Sequence, residues 1–281
     1  MKRLKVVHTT GFRYAGDVTA SYNEARMLPI GGDGQLVLSA QLDVTPGGKQ
    51  FGYVDYWGTQ VTAFEVITPH DELTLTATSF VEVAPRMRPA SPADWRTVAR
   101  AGAMAVAYAE QTRQTPRTLP DDDLLELARE VTKRTHAPDP AALLICDSIS
   151  EAMEYLPGST GVYSTAAEAW EKRSGVCQDI AHVALGALRS VGIPARYVSG
   201  YLHPDPDPVI GKTVTGESHA WVEWFCGSWR GYDPTNRIEI GDRHVLVGRG
   251  RDYDDVAPIR GVYAGPSESE QFVSVEITRV S

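Results

Sequence analysis

Residues 175–194 read GVCQDIAHVALGALRSVGIP, and their periodicity decides how the second half of the chain is built. Ile180, Val183, Ala184, Ala187, Leu188 and Val191 recur at helical spacing and gather on one face. Gly192 stands where a left-handed residue would end the helix, and Pro194 forbids its continuation. Cys177 therefore opens a helix of about four turns. The unpaired backbone N–H groups and positive dipole end at that point favour an anion, so a thiolate at Cys177 is stabilised. Gly175, just before it, permits close backbone approach.

His182 follows on the same helix, but the spacing is wrong for a base. At 100° per residue it lies roughly 140° around the axis from Cys177, nearly opposite the centre of the apolar face. We expect His182 to point outward and to play no part with the thiol.

Upstream, the pattern changes period. LVLSAQLDV (36–44), VTAFEVI (61–67) and LTLTATSFVEV (73–83) nearly alternate apolar and polar residues, as half-buried strands do. An antiparallel β domain over 1–88 is expected, then a proline-rich linker within 84–95. Helices should follow from Asp94, whose side chain can cap the first, from the acidic run Asp121 to Asp123, and through Ala141 to Tyr155. Strands are expected over 196–202, 219–225 and 229–233, with a last one at FVSVEITRV (272–280). The reading is a β domain followed by an α+β domain over 89–281.

Composition narrows the function. The 281 residues are 42% hydrophobic and 22% charged, ordinary for a globular chain, and the net charge of −9 argues against nucleic acid or an anionic membrane as partner. MKRLKVVHTTGFRY lacks the apolar stretch of a signal peptide, and no run approaches the roughly 18 residues of a membrane span. Cys146, Cys177 and Cys226 are odd in number and widely spaced, which fits reduced thiols and a cytoplasmic protein. No CxxC pair is present, and neither a metal nor a cofactor is expected. A metal-dependent alternative would draw on His203, Asp205, Glu217 and His219, whose spacing matches no metal motif. Cys146 reads as a core residue and Cys226 as a turn residue.

Among the histidines, His8, His70 and His203 have ordinary polar company, while His136 and His244 read as surface groups. His219 opens an aromatic strand, ESHAWVEWF (217–225), and the next strand, WRGYDPTNR (229–237), brings in Asp233. The hairpin's register decides whether the two can meet. A two-residue loop would put them on opposite faces, because side chains alternate with period two. A three-residue loop at Cys226-Gly227-Ser228 pairs Trp221 with Asp233 and makes His219 and Asp233 diagonal neighbours on one face. We expect the odd-length loop. Cys177, His219 and Asp233 would then supply nucleophile, base and orienting acid.

At these residues the sequence resembles the bacterial branch of the transglutaminase-like superfamily, whose core is papain-like. The resemblance runs through TAAEAWEKRSGVCQDIAHVALGALRSVGIPARYVSGYL (165–202), ESHAWVEWF and WRGYDPTNR. It continues in HTTGFRYAGDVTASYNEARMLP (8–29) and GRDYDDVAPIRGVY (250–263), so it covers nearly the whole chain. It implies the same three roles for Cys177, His219 and Asp233, and a thioester formed with a peptide or amide substrate. The acyl group would pass to water or to an amine; the alternative is a non-catalytic binding module of the same fold. The Cys177 backbone N–H is the natural oxyanion donor. A side-chain donor is usual in the superfamily, with Tyr155, Tyr163 and Trp170 as candidates here.

Overall fold

The computed structural model describes residues 1–85, 93–104, 106–216, 218–265 and 268–281, so most of the expected linker lies outside the described residues. The chain opens with β1 (Lys2–Val18), β2 (Ala20–Ala25), β3 (Gln35–Thr45), β4 (Gln50–Val54), β5 (Gln60–Val66) and β6 (His70–Val83). Helices α1 (Trp95–Met104), α2 (Val106–Thr112), α3 (Asp122–Arg134) and α4 (Pro138–Ala152) follow. Then come β7 (Glu154–Tyr155), α5 (Ala166–Lys172), β8 (Ser174–Gly175) and α6 (Cys177–Ser190). The rest comprises β9 (Ala195–Leu202), β10 (Thr213–Gly216), β11 (Ser218–Phe225), β12 (Trp229–Asp233), β13 (Ile238–Glu239) and β14 (His244–Gly250). The chain finishes with α7 (Tyr253–Val256), β15 (Ile259–Ala264) and β16 (Ser269–Arg279). The fold is α+β, with a cysteine-bearing helix packed on an antiparallel sheet.

Local chemistry explains the helix starts. Asp94 Oδ1 accepts from Thr97 N–H at 2.8 Å, and Asp121 Oδ1 from Leu124 N–H at 2.9 Å, each closing an orphan donor of the first turn. Pro138 begins α4, where its fixed φ costs nothing, and the helix stops at Ala152 rather than at Tyr155. Tyr155 instead lies in β7, which pairs in parallel with β8.

The central sheet runs β13-β12-β11-β9-β14, and both its faces are covered. Ala220, Val222 and Trp224 of β11 share a core with α3, α4, α5 and α6 on one side. On the other, Trp221 packs with Val198, Ile240 and Leu246, against Ile30 from the N-terminal region. That region also grips β14 directly: the Gln35 amide donates to Leu246 O and accepts from Leu246 N–H, both at 2.8 Å.

At the C-terminus, chain order and spatial order part company. β16 pairs with β1 from Leu4↔Arg279 to Tyr14↔Ser269, and β15 pairs with β2. The sheets of the N-terminal region therefore run β10-β16-β1-β6-β3 and β15-β2-β5-β4. Two strands from beyond the expected division at 88/89 thus join the sheets of the N-terminal region, because β1 and β2 each offer a sheet edge that a late strand fills.

Candidate active site

Cys177 is the first residue of α6, and its neighbours fix that helix tip. Asp179 Oδ2 accepts from Val176 N–H at 2.8 Å and from Thr160 Oγ1 at 2.6 Å. Gly175 makes the fit possible, since a Cβ there would come within 2.6 Å of Asp179 Cβ. At the far end, Gly192 takes φ +82°, and Ile193 N–H donates back to Leu188 O at 3.1 Å. Cys177 is half-buried, whereas Cys146 and Cys226 are fully buried. Burial pushes the Cys146 thiol far up, which keeps it an inert core residue. Cys226 belongs to the hairpin turn as expected, but its side chain points inward and is buried while Gly227 and Ser228 are exposed.

The hairpin has the three-residue loop. Phe225 pairs with Trp229 and Val222 with Tyr232, leaving Cys226-Gly227-Ser228 to turn the chain, with Gly227 at φ +90°. His219 and Asp233 consequently share a face, and Nε2 of the imidazole lies 2.7 Å from Asp233 Oδ2. Asn236 Nδ2 lies 3.4 Å from the same Nε2, the remaining ring nitrogen is Nδ1, and the Cys177 thiol is a further hydrogen-bonding neighbour of the ring. Cys177 Sγ lies 3.9 Å from the carbonyl of Ser218, the residue before His219. The structure thus brings all three expected residues together.

Asp233 is fully buried and richly supplied with donors. Its Oδ1 accepts from the backbone N–H groups of Thr235 at 3.0 Å and Asn236 at 3.1 Å. Its Oδ2 accepts from Asn236 Nδ2 at 2.8 Å besides His219. Burial disfavours its charge, but the histidine and asparagine hydrogen bonds overcome that and hold it well below the usual carboxylate range. For His219, burial likewise opposes the charged form, yet Asp233 and Cys177 push it up to about 10.

Two histidines were misread from sequence. His182 is fully buried rather than outward, with Tyr253 N–H donating to its Nε2 at 3.2 Å and the Tyr197 ring beside it. Burial lowers it to about 3, helped by Arg117 and Arg189. The polar side of α6 is roofed by α7 and β9, which no helical periodicity can announce. His244, read as a surface group, is 1% exposed, and its Nε2 lies 3.4 Å from Asp233 Oδ2. The continuous apolar run Val245-Leu246-Val247 is the signal that could have marked a strand buried on both faces, with His244 at its start.

Of the oxyanion candidates, Trp170 is buried in the core and its indole donates to Asp123 at 3.0 Å. Tyr163 is 85% exposed, beneath the Arg117 guanidinium. Tyr155 sits opposite Gly175, two residues from the thiol. Of the metal alternative's residues, Glu217 lies outside the described residues and His203 Nδ1 accepts from Asp205 N–H.

Comparison with known proteins shows which family the chain resembles. Residues 125–234 match the transglutaminase-like superfamily core, and residues 4–82 match the bacterial transglutaminase-like N-terminal region. An uncharacterized protein of Mycobacterium leprae is 42% identical over 281 residues, covering all of both chains. One from Mycobacterium tuberculosis is 32% identical, covering 98% of this chain and 92% of the other. A protein-glutamine gamma-glutamyltransferase of Pseudomonas aeruginosa is 34% identical over a stretch covering 33% of this chain and 15% of that one. A crystal structure from Cytophaga hutchinsonii, provisionally named a cysteine protease, superposes with a TM-score of 0.78 at 20% identity. It covers 100% of this chain and 91% of that one, a likeness of fold.

Proposed function

We infer that Cys177, His219 and Asp233 carry out cysteine-dependent acyl transfer at amide bonds of peptide-like substrates, since this chain belongs to the transglutaminase-like superfamily. The observation that carries the reading is the 2.7 Å bond between His219 Nε2 and Asp233 Oδ2, with the thiol of a helix-opening cysteine on the imidazole's other side. Cys177 Sγ, as thiolate, attacks the carbonyl carbon. The new S–C bond pushes the carbonyl electrons onto oxygen, where the backbone N–H groups at the start of α6 stabilise the charge. His219, held protonated at neutral pH, gives its Nδ1 proton to the nitrogen of the leaving amine as the C–N bond breaks. A thioester remains. Neutral His219 then takes a proton from water or from an acceptor amine, which attacks the thioester and releases Cys177.

Asp233 keeps Nε2 protonated and directs Nδ1 at the sulfur. The Pseudomonas relative supports transfer to an amine, and the Cytophaga neighbour's provisional name supports hydrolysis. We favour hydrolysis or cleavage of peptide-like bonds. A cytoplasmic location stays part of the proposal, supported by the odd number and wide spacing of Cys146, Cys177 and Cys226 in the sequence.

The test is intact-protein mass spectrometry after incubation with glutamine-containing and other peptide acyl donors, with and without a primary amine. An adduct on Cys177 that is absent from Cys177→Ala supports the reading. A product that gains the amine's mass marks transamidation. Native protein that forms no adduct with any donor, and whose Cys177 alkylates no faster than Cys146 or Cys226, overturns it.

A further inference from the structure

His244 has no role in the chemistry above, yet it is buried against Asp233. It lies at the start of β14, ten residues beyond the segment that matches the superfamily core. Its Nδ1 accepts from Gly241 N–H at 3.2 Å. An imidazole nitrogen that accepts carries no proton, so the proton of the neutral ring sits on Nε2. That nitrogen faces Asp233 Oδ2 at 3.4 Å and therefore donates to it. The Trp221 ring meets His244 edge-on, with centroids 5.3 Å apart, and fixes the imidazole plane. The charged or titratable groups facing it are Asp233, His219 and Arg243. Burial lowers its proton affinity, so it stays neutral beside its ionised partner.

Oδ2 of Asp233 thus receives three N–H groups: His219 Nε2, Asn236 Nδ2 and His244 Nε2. Each takes a share of one negative charge. We propose that His244 is a positioning residue that grips Asp233 Oδ2 from a second side and limits how tightly that carboxylate holds His219. The consequence falls on the second half-reaction. Once His219 has given its proton to the leaving amine, the ring must stay neutral until water or an amine attacks, and a carboxylate shared with His244 keeps it neutral at lower pH. The N-terminal region takes part, because Gln35 fixes β14 at Leu246, two residues from His244. The inference rests on the acyl-transfer reading only for this consequence; the effect on His219 itself does not.

The experiment follows the imidazole nitrogens of His219 by NMR across a pH titration, assigned with His219→Gln. Native protein is compared with His244→Leu, which has no donor, and His244→Gln, which returns an N–H near the Nε2 position. In His244→Leu the His219 midpoint should rise by roughly half a unit or more, and the thioester, where a donor is known, should persist about threefold longer. His244→Gln should titrate like native protein. Should the Leu variant not fold, His244→Asn, whose amide stops short of Asp233, replaces it and should show the same rise. An unchanged His219 midpoint in the Leu or Asn variant, whatever happens to thermal stability, would make His244 a packing residue and overturn the proposal. If the acyl-transfer reading alone fails, no adduct forms but the His219 shift remains; if this inference alone fails, adducts form and the shift is absent.

Discussion

His219 and His182 are both buried imidazoles close to α6, and they behave in opposite ways. His219 meets a carboxylate whose other valences are saturated by donors, and it is pushed up to about 10. His182 meets a backbone N–H and two arginines, and it falls to about 3. Burial is common to both and always opposes the charged ring. The partner decides the outcome. The histidine near Cys177 in sequence has no carboxylate to hold a proton on it, and the one distant in sequence has Asp233.

The strongest way to break this contrast is to remove each ring. His219→Gln should slow adduct formation on Cys177 by about 10²- to 10⁴-fold, while His182→Gln should change it only a few-fold. Rates of mass increase with one acyl donor measure both, and equal losses would erase the distinction.

Thermal melting against pH sharpens it. A raised imidazole contributes stability in full below its ordinary value near 6.5, and that contribution is lost as pH climbs towards 10. His219→Gln should therefore abolish a decline, on the order of a few kcal/mol, seen in native protein over that window. For His182 the sign reverses. The unfolded chain takes up a proton that the folded chain refuses, so native protein loses stability as pH falls from 6.5 towards 3, and His182→Leu should flatten that loss.

Smaller effects follow from the supports on each side. Gly175→Ala would drive a Cβ into Asp179, costing about 2 kcal/mol and loosening the helix tip that carries the thiol. Denaturant melts and iodoacetamide rates should fall together, and a silent substitution would remove Asp179 from the account. Gln35→Ala should cost about 1 kcal/mol, because its bonds to Leu246 are lost and water enters in their place. It should leave the pH profile attributed to His182 untouched.

What could be read from the sequence was whatever depends on local spacing. The α6 boundaries follow from Gly192 and Pro194, and the His219–Asp233 meeting follows from counting residues around one turn. What could not be read depends on segments far away in sequence. His182 occupies the polar side of an amphipathic helix, and that side is covered by Tyr253 and Tyr197. His244 follows the charged turn Asp242-Arg243, which masks that the strand it opens is buried on both faces. The late strands gave a clear β signal at 272–280, but alternation specifies a face and not a neighbour.

The pairing of β1 with β16 also constrains how the protein is made. Leu4 emerges from the ribosome well before Arg279, yet the two sit side by side. One flank of β1 must wait, exposed, until β16 has been translated. A nascent chain stalled before residue 269 would present that bare strand to other molecules, so the arrival of β16 is also what protects β1 from self-association.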